Sequence, residues 1–316
     1  MITSWSEIQE ELPNLLFGNG LGRTYWEGFS YKSLLELFGD RPVGRYLCTR
    51  ELFNKLNTEN FEEVLRAIYH AYQVSIDNES ATKTLYIDVQ NALIRSVNEV
   101  HPNYRDVPTE HIRECMSKYK SIFTTNYDLL PYWAVLDGGQ ACFVDYFWGD
   151  NEFDLYNSSV YQSKIPIHFL HGALHLRSEK ISNTRKIAIT LESDLDGALE
   201  LDFNNTFPLF ISEGKSQLKM NRIRSNSYLS FCYRNLRKSN GGLVVFGHDL
   251  NEEYDEHIVS AIKASTNSTV AISVFSGLDD SSKKMFVGRI NALFADSDQS
   301  IKFFESNTHP FAQNKA

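Results

Sequence analysis

The sequence predicts an α/β fold: a Rossmann-like, doubly wound and mostly parallel sheet with a large helical insertion after the first strand. Three observations carry that prediction. Short, continuously apolar runs recur along the chain, as expected for strands buried on both faces. Stretches of helical periodicity separate most of them. The first apolar run, Leu15 to Phe17, stops at Gly18-Asn19-Gly20-Leu21-Gly22, a strand entering a tight loop. Glycine lets such a loop take positive φ and lets a phosphate approach successive backbone N–H groups. The spacing is G-x-G-x-G, not the dehydrogenase G-x-G-x-x-G, so an ordinary structural turn stands beside the phosphate reading.

Taken in order, Phe29 to Phe38 reads as a helix behind Ser30 or Ser33 and ending near Gly39. Phe61, Val64, Leu65, Ile68 and Tyr72 define a second helix, and Leu85, Val89, Leu93, Ile94 and Val97 a third, closing at His101-Pro102. A short helix around Glu110 to Lys118 leads to a strand over Ser121 to Thr125, and another short helix starts near Leu129. A strand at Ile165 to Leu170 ends at His171-Gly172, and Ala173 to Leu176 with Lys186 to Leu191 suggest a peripheral hairpin or paired strands. Ser216 to Lys238 is helical, in two pieces divided near Ser225-Asn226. Strands at Gly242 to Gly247, Val270 to Phe275 and Ile301 to Phe304 alternate with helices at about Glu253 to Ala264 and Ser281 to Phe294. The reading is one domain over residues 1–316 with the helical insertion at 31–118 inside it, and a frayed polar tail from Ser306.

Forty acidic against thirty-one basic residues give a formal charge of −9, which argues against a surface-wide nucleic-acid footprint. No apolar run reaches the length of a membrane span, and the first residues lack a signal-peptide pattern, so a cytoplasmic location is expected. Cys48, Cys115, Cys142 and Cys232 form no C-x-x-C pair. Reduced, buried cysteines and no metal site are therefore expected.

In open α/β sheets ligands bind beyond the carboxyl ends of the strands. Those positions hold Gly18-Asn19-Gly20, Thr124-Thr125-Asn126-Tyr127-Asp128, His171-Gly172, Gly247-His248-Asp249 and Ser276-Gly277. Each has a bland reading too. Asn126 and Asp128 suit caps for the helix near Leu129, and His171 suits a turn. His168 reads as a core histidine on its strand, while His175, His248 and His257 read as solvent-facing or structural. Tyr132, Trp133, Phe147 and Trp148 read as core or pocket wall.

The ordered set Phe17-Gly18-Asn19-Gly20, Thr124-Thr125-Asn126-Tyr127-Asp128, Leu170-His171-Gly172 and Gly247-His248-Asp249-Leu250 resembles the sirtuin-like superfamily. It is most similar to the zinc-less bacterial NAD-hydrolase branch associated with anti-phage defence. That resemblance implies catalytic Asn126, His171 and Asp128, with Gly18, Asn19, Gly20, Thr125, Gly247, His248 and Ser276 lining the NAD site. The four-cysteine zinc module and the Asp-Phe-Arg segment of the superfamily's deacetylases are absent from the sequence. A deacylase or an ADP-ribosyltransferase is accordingly the weaker implication.

Cleaving the nicotinamide–ribose bond develops positive charge on the ribose, much as in glycoside hydrolysis. An amide such as Asn126 can orient water or the nicotinamide carboxamide, and an imidazole near neutral pKa can accept a proton. Asp128 suits either cation stabilisation or fixing of the loop. The expected activity is an NAD hydrolase releasing nicotinamide and ADP-ribose, a defence effector that depletes NAD, with NAD as substrate and no metal. The resemblance further implies a homo-oligomer or a complex with a HerA-type ATPase or another sensor. The alternative is a module that binds NAD or an ADP-ribose derivative without cleaving it.

Overall fold

The computed structural model describes residues 1–26, 42–43, 47–58, 60–75, 78–147, 149–158, 163–179, 183–187, 206–211 and 214–313. The strands in chain order are β1 (Ile2–Thr3), β2 (Asn14–Phe17), β3 (Pro42–Val43), β4 (Leu47–Cys48), β5 (Ser121–Thr124), β6 (Phe143–Val144), β7 (Ile165–Phe169), β8 (Gly172–Glu179), β9 (Asn183–Lys186), β10 (Thr206–Phe210), β11 (Asn240–Phe246), β12 (Thr266–Val274) and β13 (Ser300–Glu305). Eight of them form the main sheet in the order β1-β13-β12-β11-β2-β5-β7-β6. Every pairing in it is parallel.

The central strand is β2, whose Leu15, Leu16 and Phe17 have no exposed surface. Its uninterrupted apolar run suits a strand covered on both faces. After β2 the chain fills β5, β6 and β7 on one side, then crosses to β11 and continues outward through β12 and β13 on the other. Winding therefore reverses at β2, and β2/β11 is the topological switch point. Registers Phe17↔Phe246, Phe17↔Thr124 and Thr124↔Phe169 put all four carboxyl ends level.

Helices Phe61–Val74, Glu79–Val100 and Thr109–Met116 lie between β2 and β5, as the periodicity predicts. The break between Ser216–Ser225 and Ser227–Arg237 falls at Asn226, whose side chain caps the second piece through Leu229 N–H at 3.0 Å. The helix expected over Phe29 to Phe38 lies outside the described residues. So do Trp148 and the later part of the expected second hairpin strand, residues 188–191.

Glu62 ties this helical segment to the rest of the fold. It is 1% exposed, accepts two bonds from Arg222 and also meets Arg66 at 2.7 Å. A buried carboxylate needs such a bidentate partner to offset its lost hydration. Arg222 sits on the Ser216–Ser225 helix, so the segment after β2 is clamped to the helix whose first residue enters the site described below.

Three readings are corrected. The Ala173 to Leu176 strand is not peripheral: β8 is buried over nearly all its length, between β9 and a strand the sequence reading missed, β10. Its Phe207 lies under the Arg66 guanidinium, 4.3 Å from the ring centroid. The tail is not frayed over 306–313. Ser276 and Ser306 hold each other there, Tyr25 Oη donates to Phe311 O at 2.7 Å, and Phe311 is fully buried against Phe246. Polar letters disguise it because two aromatic anchors, His309 and Phe311, suffice. Cys142, in the turn after Leu130–Leu136, is exposed, whereas Cys115 and Cys232 are buried as expected. Among the described residues no helix is long and apolar enough to cross a membrane.

Phe311→Ala removes a ring from this fully packed corner. We expect it to cost ~3–5 kcal/mol, the range for such truncations, read as a lower urea midpoint. A midpoint equal to that of the unaltered protein would show the tail to be dispensable.

Candidate functional site

Two glycine loops meet at the switch point. Gly18 N–H donates to Phe246 O at 3.0 Å and Gly20 N–H to Gly247 O at 2.8 Å. A Cβ on Gly20 would stand 2.5 Å from Gly247 Cα, and one on Gly18 would stand 2.8 Å from Gly247 O. Gly247 itself has φ +62, and Ser273 Oγ accepts its N–H at 2.8 Å. Here the glycines allow backbone to lie on backbone, and the Gly18 and Gly20 amides expected to face a phosphate are already engaged. Asn19 occupies the position before the Gly20–Tyr25 helix, half-buried. His248 is buried and accepts Leu250 N–H on Nδ1 at 3.0 Å.

On the next strand, Thr125 N–H donates to Phe17 O at 3.2 Å, binding the β5 exit to that of β2. Asn126 and Asp128 are both buried. Asp128 caps the Leu130–Leu136 helix, accepting Leu130 N–H at 2.9 Å, and its carboxylate also bonds the Asn126 side chain. Burial nevertheless pushes its pKa up to about 6. One carboxylate thus bonds the first turn of the helix and also fixes the amide. His101, which the sequence reading took only as a helix end, joins them. Its Nδ1–H donates to Pro102 O, so its Nε2 accepts Leu129 N–H, both at 2.9 Å.

His171 leaves β7 at the same edge. Gly172 follows at φ +73, and a Cβ there would stand 2.1 Å from Leu209 O. Only glycine lets the chain turn from the main sheet into β8 at that point. His171 is 3% exposed, and its Nε2 lies 2.8 Å from His257 Nε2. His257 Nδ1 lies 2.8 Å from Ser216 Oγ, which also accepts the His257 amide at 2.9 Å. Beside them Lys219 Nζ bonds Asp255 Oδ1 at 3.1 Å; Asp255 breaks helical geometry inside Glu252–Lys263, at φ −136.

Burial, then the positive charge of Lys219, holds His171 well below the usual histidine range, and burial puts His257 at about 3. Burial, which strips hydration from a charged ring, thus favours the neutral form of both imidazoles, where the sequence reading expects a near-neutral pKa. Burial works to raise the Asp255 carboxyl, but His248 and Lys219 together hold it below the usual carboxylate range.

His257 and His175 are buried, not solvent-facing; His175 stacks on Tyr132 with centroids 4.3 Å apart. His168 is a core histidine as expected, bonding Ile122 O at 3.2 Å. Tyr132, Trp133 and Phe147 are buried. Ser276 lies at the end of β12 and bonds the 306–307 turn: its Oγ accepts Asn307 N–H at 3.1 Å.

Cysteine spacing could not disclose one donor set: His171, Asp255 and His257 bring ligand atoms within 4.8 Å of one another. Two imidazoles and a carboxylate are a set that first-row metals accept. In this arrangement the imidazoles bond each other and Asp255 faces the Lys219 ammonium. A metal would have to displace both contacts.

One cavity of about 260 Å³ opens at the opposite, amino edge, lined by Asn14, Ser121, His168, Ser239 and Asn240. Asn14, Ser121 and Asn240 begin strands whose far ends carry these groups, whereas His168 is the fourth of the five residues of β7.

Fold and edge together define a doubly wound α/β protein whose polar groups collect at its topological switch point. The chain belongs to the family described as "Domain of unknown function (DUF4917)", whose model matches residues 15–311. No functionally curated protein matches it. Among solved structures it is similar to a mutant Sir2 homologue in complex with ADP-ribose, with 11% identity, covering 96% of this chain and 90% of that chain at a TM-score of 0.39. A likeness of that degree carries no functional information.

Gly20→Val is expected to destabilise the whole protein and not only a ligand site, because the valine meets Gly247 backbone that cannot swing aside. A loss of ~1–3 kcal/mol or more, typical of overpacking, should appear in urea unfolding without ligand. Unchanged unfolding would show that the loops can part.

Stability should also fall steeply in mild acid. Seven of nine histidines are buried, and His101 and His168 sit at about 4 through burial. Folded values below the unfolded 6.5 mean stability present above that pH and lost as pH falls toward 4. Each such shift is worth ~3 kcal/mol at most. Asp128, raised to about 6, works the other way, losing stabilisation as pH rises from 4 to 6. One carboxyl cannot offset several histidines, so the melting temperature should drop between pH 6.5 and 4.5. A flat profile there would refute neutral burial.

Proposed function

We propose that this protein hydrolyses NAD to nicotinamide and ADP-ribose at the carboxyl edge around β2. The observation that carries the reading is convergence: the Gly18-Asn19-Gly20 loop docks on Gly247, while Asn126 and His171 leave the next two strands at the same level. Those segments are the ones that resemble the zinc-less sirtuin-like NAD hydrolases, in the same order. Asn126, fixed by Asp128, suits the nicotinamide carboxamide or the attacking water, and His171 suits a polar contact to substrate. An NAD-depleting activity must be restrained in a healthy cell, so we take the role to be antiviral defence. Residues 31–118 are then the surface for self-association or for a HerA-type ATPase or other sensor, within a single domain.

Incubating purified protein with NAD, with and without a candidate partner, and following nicotinamide release tests this. Asn126→Ala and His171→Ala should each slow release by ~100-fold or more, the scale of a lost catalytic group, with NAD affinity changed only a few-fold. Full activity in both variants would remove these roles. Binding of NAD without release under every condition would make the protein a nucleotide-sensing module instead.

A further inference from the structure

The hydrogen-bonded chain of Ser216, His257 and His171 fixes where the protons sit, and this deepens the reading of the site just proposed. Ser216 Oγ accepts the His257 amide at 2.9 Å, and its hydroxyl proton must go elsewhere. The acceptor in reach is His257 Nδ1, at 2.8 Å. A neutral imidazole that accepts on Nδ1 carries its proton on Nε2. His257 Nε2–H therefore donates to His171 Nε2, 2.8 Å away. His171, accepting on Nε2, carries its own proton on Nδ1, and Nδ1 makes no hydrogen bond among the described residues. In the reverse direction Ser216 Oγ would accept two N–H groups and its hydroxyl proton would have no acceptor among the described residues. It would also turn the hydrogens of the chain toward the amino end of the Ser216–Ser225 helix and toward Lys219, both positive.

We propose that His171 acts on substrate as a neutral hydrogen-bond donor through Nδ1–H, not as a proton acceptor, and that Ser216 and His257 are positioning residues that impose this tautomer. Neither nitrogen of His171 then has a lone pair to offer, since Nε2 is occupied by His257. In NAD cleavage the C–N bonding pair leaves with neutral nicotinamide, and water forms the new C–O bond. The proton released by that water passes to solvent. His171 holds an oxygen of the substrate, a carboxamide carbonyl or a ribose hydroxyl, in register while this happens. A neutral imidazole kept as a donor by a low pKa is an established catalytic arrangement in triosephosphate isomerase.

Side-chain ¹⁵N NMR of the full-length protein reads the tautomer directly and needs no activity. We expect His171 protonated on Nδ1 and His257 on Nε2, and a loss of that preference in Ser216→Ala. A His171 proton on Nε2 overturns the proposal. Kinetics supply the second arm. Asparagine can place an N–H near the position of Nδ1 but cannot take a proton, so His171→Asn should retain at least ~10-fold more activity than His171→Ala, where a lost catalytic group costs ~100-fold or more. An asparagine variant that is folded by circular dichroism yet as inactive as the alanine variant overturns the donor role. If the wild-type protein never cleaves NAD, the hydrolase reading fails, while the spectra still decide the proton assignment.

Discussion

The contact of Gly20 with Gly247 is the constraint from which the rest of the edge follows. Two chain segments that leave adjacent parallel strands would ordinarily be held apart by their side chains. With no Cβ on either glycine, the loops close to direct backbone bonds. This seals the sheet edge at the switch point, and the Gly20–Tyr25 helix starts on it. The loop after Gly247 is secured from outside: Arg289 donates to Asp249 O at 2.6 Å and to Leu250 O at 3.0 Å, although Leu250 stands at φ +51. A non-glycine residue in that region costs ~1–2 kcal/mol. Two charge-assisted bonds and a fully buried leucine side chain offset such a cost.

The second constraint is the turn at His171-Gly172. The left-handed glycine sends the chain out of the main sheet, so the side chain just before it is left at the level of the strand ends and roofed by other elements. The roof comes from far along the sequence: Ser216 and Lys219 on one helix, Asp255 and His257 on another. Arg222 then carries the first of these helices to Glu62. Glu62 and the Ser216 hydroxyl are thus tied to the same ten-residue helix.

Much of this architecture was legible because its signals are local. Apolar runs such as Leu15 to Phe17 and Leu243 to Phe246 can only be buried strands, and the cap at Asn226 marks its helix break in three letters. The carboxyl-edge rule then gathers Asn126 and His171 without any knowledge of contacts. Other features could not be read, for physical reasons. β10 pairs with β8 across a long separation, and its Thr-Phe-Pro-Leu-Phe run has a proline that argues against a strand. His257 looks like any residue on an amphipathic helix until the kink at Asp255 turns that end toward Ser216. His309 and Phe311 are two aromatic letters in a polar tail, and only the neighbouring Trp5, Phe246 and Tyr119 make them a core. The glycine loop was legible as a loop, but its packing on Gly247 was not, because close packing and phosphate binding call for the same residue.

Electrostatics explains why such a site should keep its imidazoles uncharged. On the proposed reading the substrate brings a pyridinium, and the ribose becomes more positive as the bond breaks. A unit charge 5 Å away acts on that centre with ~3 kcal/mol at the effective dielectric of a protein site. A charged His171 would oppose cleavage by that amount; a neutral one does not. Lys219 carries the one positive charge in the cluster described here, and Asp255 neutralises it at 3.1 Å. Asp128 lies on the neighbouring strand exit with its pKa near 6. Nearby cationic substrate would favour its ionised form and so draw negative charge into the edge when the pyridinium arrives. On that reading the same loss of hydration that keeps the histidines neutral would suit the chemistry, and it also makes the fold sensitive to acid.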